Sequence, residues 1–221
     1  FDPSGDMSGM AKLIEAAAAS NPDGIIVSLP DADALGGAIK AAADAGIPVI
    51  TMNSGLESSA AVGALMHVGQ PERLAGEKAG ARAKAEGVTN GLCLNQEAFN
   101  TALVDRCEGY FAGLGGDLNM IDVSNDVTQI ETRTAAALSA DPSIDGVLAV
   151  GPHVCAAANK AIKDVGADVH LGCFDLSPEV MDMIKAGDAS FTIDQQQRLQ
   201  GYMPVIVLHL YNTNAGMLPG A

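Results

Sequence analysis

Asn21-Pro22-Asp23-Gly24-Ile25-Ile26-Val27-Ser28-Leu29-Pro30 decides how this chain folds. The apolar run 25–29 lies between a Pro-Asp-Gly turn signal and a proline. A strand without apolar/polar alternation is one buried on both faces, as in a parallel sheet. Working outward, residues 32–45 carry Leu35, Ile39 and Ala42 at helical spacing, and Gly46 supplies a C′ stop. A second buried strand follows at 48–52, ending at Asn53-Ser54-Gly55. Strand, helix, strand in this order is a βαβ unit. Upstream, Met10, Leu13, Ile14 and Ala17 mark a helix.

The alternation continues. After a short extended stretch at 64–68, helices are expected at 71–86, 101–114, 128–140, 153–165, 178–186 and 199–212. Strands are expected at 91–95, 120–123, 146–150, 169–174 and 190–193. Repeated βαβ units imply parallel sheets covered by helices on both faces. Residues 16–55 and 136–175 share one plan. In each, an alanine-rich helix leads to a strand ending near Pro30 or Pro152. A second alanine-rich helix, a glycine (Gly46 or Gly166) and a strand ending in Asn53 or Asp175 follow. Convergence of similar units is the plain reading. The sharper reading is two related lobes whose strand ends face one cleft, since ligands of open α/β sheets bind beyond the carboxyl ends of the strands.

Composition narrows the function. Lys and Arg total 12 against 27 Asp and Glu, a net charge of −15. Phosphate backbones and anionic membranes require cations, so nucleic acid and acidic lipid surfaces are disfavoured. No apolar run approaches the ~20 residues that span a bilayer. The chain shows no dinucleotide or P-loop fingerprint and no nucleophile elbow. His67, His153, His170 and His209 lack ligand spacing, so no metal, cofactor or catalytic set is expected. Cys93, Cys107, Cys155 and Cys173 read as buried thiols, with a disulfide as the minor alternative. They leave the redox compartment open.

What remains is polar residues at successive strand ends. Asn53-Ser54, 95–100, 151–153, Asp175 and Asp194-Gln195 each follow a strand. For any one of them a turn or cap role competes with ligand contact. Four stretches together resemble the ribose-type periplasmic sugar-binding proteins: Ile47-Pro48-Val49-Ile50-Thr51-Met52-Asn53-Ser54-Gly55, the run 100–110 around Asp105-Arg106-Cys107-Glu108-Gly109, Leu171-Gly172-Cys173-Phe174-Asp175, and Phe191-Thr192-Ile193-Asp194-Gln195-Gln196. Order and spacing hold from about residue 6 to residue 212.

The resemblance implies the periplasmic binding protein type I fold, two Rossmann-like lobes with parallel sheets joined by a hinge. Lobe one would comprise 1–68 and 196–221, and lobe two 69–195. It implies no enzyme but a monomeric solute-binding protein, periplasmic or lipid-anchored outside the cytoplasm, which passes a monosaccharide or polyol to an ABC transporter permease by cleft closure. Arg106, Asp175 and Gln195 would contact the sugar, joined by Asn53, Phe99, Asn100, Asn125 and His153. Asn53-Ser54 stands where the family often has Asp-Arg, which argues against ribose itself. Gly151 replaces a common Asn, so His153 is expected to serve instead. The family's first strand-helix-strand unit and last crossover strand are expected to be absent, leaving lobe one incomplete. The effector domain of a sugar-responsive repressor shares this fold and is the alternative; an enzyme on a doubly wound sheet is a more distant one.

Overall fold

The computed structural model describes residues 6–216. In chain order the elements are α1 (Met7–Ala19), β1 (Ile25–Ser28), α2 (Ala32–Asp44), β2 (Val49–Met52), α3 (Leu56–Ser59) and β3 (Met66–Val68). Then come α4 (Glu72–Ala85), β4 (Gly91–Asn95), α5 (Thr101–Leu114), β5 (Met120–Asp122), α6 (Val127–Ala140) and β6 (Gly146–Ala149). The chain continues through α7 (Pro152–Val165), β7 (His170–Phe174), α8 (Pro178–Ala186), β8 (Phe191–Ile193) and α9 (Gln197–Thr213). The chain divides into two compact units, Phe1–Gln70 with Gln196–Ala221, and Pro71–Gln195. The parts of the first lobe at 1–5 and 217–221 lie outside the described residues. No helix among the described residues is long and apolar enough to cross a membrane.

In the first unit β1, β2 and β3 form a parallel sheet in that order. Its core gathers Ile25, Val27 and Leu29 against Leu35, Ile39 and Val62. Asp31 caps α2 by accepting from the Ala34 amide at 3.0 Å, and Gly46 follows the helix at φ 88°. The short helix α3 is absent from the sequence expectation. It brings Ser59 to 2.6 Å from the buried Thr51 hydroxyl, which also meets His67 Nδ1 at 2.9 Å.

The second unit holds a five-stranded parallel sheet, ordered β5-β4-β6-β7-β8. Period-2 alternation sends Leu92, Leu94, Val147, Ala149, Leu171 and Cys173 to one face, against α6, α7 and α8. Cys93, Leu148, Val150 and Phe174 point to the other, against α4 and α5. Both faces are apolar, which is why these strands read as continuous hydrophobic runs.

Two of the second unit's helices approach unusually closely. A Cβ on Gly76 or Gly80 of α4 would collide with the backbone of α5 at Arg106 or Tyr110. A Cβ on Gly109 or Gly113 of α5 would collide with α4 at Arg73 or Glu77. Two glycine pairs at four-residue spacing therefore let the helix backbones touch.

The cysteines correct the sequence expectation of free thiols. Cys93 of β4 is bonded to Cys107 of α5, and Cys155 of α7 to Cys173 of β7. Both pairs have Cα atoms 5.7 Å apart, within the range a disulfide bridges. Each links the sheet to a helix, one on either face. Sequence separations of 14 and 18 match no cysteine motif, so the pairing emerges only once strand and helix are packed.

Candidate ligand site

Parallel strands deliver their carboxyl ends, and the loops after them, to one edge of the sheet. In the second unit this edge carries a continuous polar network. Asn95 closes β4, and its Oδ1 accepts from the Glu97 amide at 2.9 Å, fixing the loop. Asn100 caps α5, its Oδ1 accepting from the Ala102 amide at 3.2 Å. Its amide nitrogen donates to Glu97 Oε2 at 2.9 Å. From the loop after β5, Asn125 Nδ2 donates to the other Glu97 oxygen at 3.3 Å. At the start of α7, His153 Nε2 lies 3.0 Å from Asn125 Oδ1. Since Asn125 donates through its nitrogen, its oxygen accepts, which assigns the proton to His153 Nε2. Desolvation holds His153 below the usual histidine range, partly offset by the Glu97 charge.

The network joins Asn100, Asn125 and His153 through Glu97, a residue the sequence reading passed over within 95–100. Phe99, in the same loop, is 39% exposed and offers an apolar ring face. Gln96 is a second omission. A Cβ on Gly151 would come within 2.9 Å of Gln96 Nε2, so the Gln96 amide occupies the space that a side chain at 151 would take. Gln96 Oε1 is buried and has no hydrogen-bond partner.

The edge continues past β7 and β8. Asp175 takes a left-handed backbone at φ 71°. Its carbonyl accepts from Thr192 Oγ1 at 2.7 Å, and its Oδ1 from Gln195 Nε2 at 2.5 Å. Gln195 is buried. In the first unit Asn53 has the same local conformation after β2, at φ 62°. Its amide donates to Gln200 of α9 at 3.2 Å, and Ser54 Oγ donates to its oxygen at 3.2 Å. Asn53 thus belongs to the first unit's own polar contacts.

Arg106 is held within its own unit. It is 3% exposed. Its Nε and Nη2 donate to the two oxygens of Glu72 at 2.7 and 3.0 Å, and Nη1 donates to the Val150 carbonyl at 2.9 Å. Its guanidinium lies 4.6 Å from the Phe174 ring centroid, a cation–π distance. Three of its five N–H donors are therefore committed within the protein. Burial pushes the Glu72 carboxyl up, and Arg106 pulls it back down without fully compensating. Nothing in the sequence marked Glu72, which is 34 residues away on another helix. No group of three or more His, Cys, Asp or Glu among the described residues is placed to hold a metal ion.

Residues 1–213 match the model of a periplasmic binding protein domain. A carbohydrate transporter from Acidothermus cellulolyticus, solved in complex with myo-inositol, is 39% identical with a TM-score of 0.93, covering 98% of this chain and 76% of that one. A periplasmic sugar-binding protein of an ABC sugar transporter from Legionella pneumophila has a TM-score of 0.88 at 23% identity, over 94% of this chain and 80% of that one, a likeness of fold. The xylose/arabinose-binding protein XylF of Sulfolobus acidocaldarius is 24% identical over 93% of this chain. The chain spans 56% of that protein's length.

Proposed function

This chain belongs to the periplasmic binding protein domain family, and from that premise we propose that it captures a monosaccharide or polyol outside the cytoplasm. The observation that carries the reading is the polar edge at the carboxyl ends of β4 to β8, with Asn100, Asn125, His153, Asp175 and Gln195 on successive loops. A ring with many hydroxyls needs several donors and acceptors on one rigid surface. Phe99 adds an apolar face for the C–H side of the ring.

In this proposal Asp175 accepts from sugar hydroxyls, and Arg106 donates its two remaining N–H groups. Ligand stabilises a closed arrangement by hinge bending, and an ABC permease reads that state and receives the sugar. A micromolar ligand supplies about −8 kcal/mol. A few bonds to charged groups at roughly 1.5–3 kcal/mol each, with ring burial, reach that sum. Two disulfides support an oxidising compartment, since such bonds persist outside the cytoplasm. The similar protein in complex with myo-inositol supports a cyclic polyol or sugar as ligand.

The test is calorimetric titration with myo-inositol, D-xylose, L-arabinose, D-allose and D-glucose. At least one is expected to bind in the micromolar range or tighter. Absence of binding across the panel would sink the proposal.

A further inference from the structure

The polar edge of the second unit is built from two groups of residues, each with its own hydrogen bonds. In the first, Asn100 and Asn125 donate to Glu97, and His153 Nε2 lies 3.0 Å from Asn125 Oδ1. This group draws on the loops after β4 and β5 and on the start of α7. Asp175 belongs to the second. Its amide donates to the Ile193 carbonyl at 2.8 Å, its carbonyl accepts from Thr192 Oγ1, and its carboxylate accepts from Gln195 Nε2. Those bonds fasten it to β8 and the loop beyond. The strand pairing divides in the same place. Between β7 and β8 it runs to Phe174 opposite Ile193, whereas between β6 and β7 it stops at Ala149 opposite Cys173.

A covalent bond crosses where that ladder stops. Cys155, in the first turn of α7, is joined to Cys173, the next-to-last residue of β7. His153 precedes one cysteine by two residues, and Asp175 follows the other by two. The Cys155 amide donates to the Gly151 carbonyl at 2.9 Å, so the bridged turn is itself closed. Both cysteines are fully buried, which shields the bond from reductants in solvent and makes it a fixed clamp. On the premise that this edge is the sugar site, we propose that Cys155–Cys173 positions it, holding the His153 group and the Asp175 group at the spacing at which both reach one ligand. The two cysteines act through the residues two positions away.

The other bridge supplies the contrast. Cys93–Cys107 ties β4 to α5, and Asn95 at the end of β4 and Asn100 at the cap of α5 already share the Glu97 loop. Both of its ends therefore lie within the first group. The bridges span 14 and 18 residues, so their loss removes similar stability. A rigidly presented site binds more tightly because ordering costs are not met on binding. That benefit belongs to the bridge that spans the two groups.

The experiment is calorimetric titration of the full chain with myo-inositol, D-xylose, L-arabinose, D-allose and D-glucose. It compares wild type, Cys155→Ala/Cys173→Ala and Cys93→Ala/Cys107→Ala. The first pair is expected to bind about tenfold more weakly, as for a competent fraction reduced to roughly a tenth. The second pair should stay within about threefold of wild type. Nitrogen NMR of the histidine rings in the unliganded proteins reads positioning directly, and the His153 signals should move in the first pair and hold in the second. Cys155→Ala/Cys173→Val, which returns two methyl groups to the space of the sulfurs, replaces the alanine pair should that fold poorly. Affinity within about threefold of wild type once Cys155–Cys173 is gone overturns the inference. So do unmoved His153 signals, and so does an equal loss in both pairs, which lost stability alone would produce. A wild type that binds no member of the panel overturns the sugar reading, and this one with it, an outcome distinct from binding that survives loss of the bridge.

Discussion

Arg106 donates to both carboxylate oxygens of Glu72, at 2.7 and 3.0 Å, across two helices whose backbones touch. The pair is almost fully buried, with side-chain exposures of 4% and 6%. Removing one partner leaves the other charged and desolvated. Glu72→Ala should cost about 3–5 kcal/mol in urea-unfolding free energy. Arg106→Ala would carry the same penalty, so loss of sugar binding in that variant would report misfolding as readily as a lost contact. Arg106→Lys, which retains the charge but not the two-pronged geometry, separates the two roles.

Glu72 and Arg106 meet only because glycines permit it. Gly80→Ala and Gly113→Ala each put a methyl against the backbone of the neighbouring helix. Each is expected to destabilise by about 1–3 kcal/mol, although alanine is the better helix former. Thermal unfolding checks this. Gly37, with open space where a Cβ would lie, is the control, and Gly37→Ala should be neutral or slightly stabilising.

The two disulfides close loops with separations of 14 and 18 residues. Loops of that length predict about 3 kcal/mol of stabilisation each. Thiol titration of the unfolded, unreduced protein should find no free cysteine. Replacing Cys93 and Cys107 by alanine should lower the unfolding free energy by that amount.

Asp145 gives stability a pH dependence. Partial burial pushes its carboxyl up, but bonds from Thr89 and Asn90 outweigh this and hold it below the usual aspartate range. The contacts are Thr89 N at 2.9 and 3.0 Å, Thr89 Oγ1 at 2.7 Å and Asn90 N at 2.7 Å. A depressed carboxyl contributes stability that is complete above the unfolded value, about 3.9, and is lost as pH falls through the lower folded value. Asp145→Asn should therefore destabilise at neutral pH and flatten the acid limb of the stability profile. Denaturation midpoints from pH 7 to pH 2 measure both.

Much of the fold was legible because its strands are buried on two faces and its turns are marked by Gly, Pro and Asn. The run 25–29 and the stop at Gly46 each have a local cause. The short helix α3 was not legible, since one turn of Leu-Glu-Ser-Ser carries no periodicity. Cysteine pairing depends on which strand residue faces which helix, a tertiary fact. The site divides in the same way. Strand-end positions can be counted from sequence, so Asn125, His153 and Asp175 were named. The partners that orient them were not, because Glu97 and Gln96 sit in an irregular loop and Glu72 pairs with Arg106 across 34 residues. The left-handed conformations of Asn53 and Asp175, at φ 62° and 71°, are the structural counterpart of the shared plan of 16–55 and 136–175.

In the proposed function, the polar edge at the carboxyl ends of β4 to β8 holds the sugar. Asp175→Asn keeps a residue type that tolerates the left-handed backbone and removes only the charge, and Asn125→Ala removes one amide from the network. Calorimetric titration of the double variant with the sugar or polyol that the wild type binds reads the contribution of these two side chains. Bonds to a charged group of roughly 1.5–3 kcal/mol predict affinity at least about tenfold to a hundredfold weaker, with the melting temperature retained. Affinity within threefold of wild type in a folded double variant would contradict it.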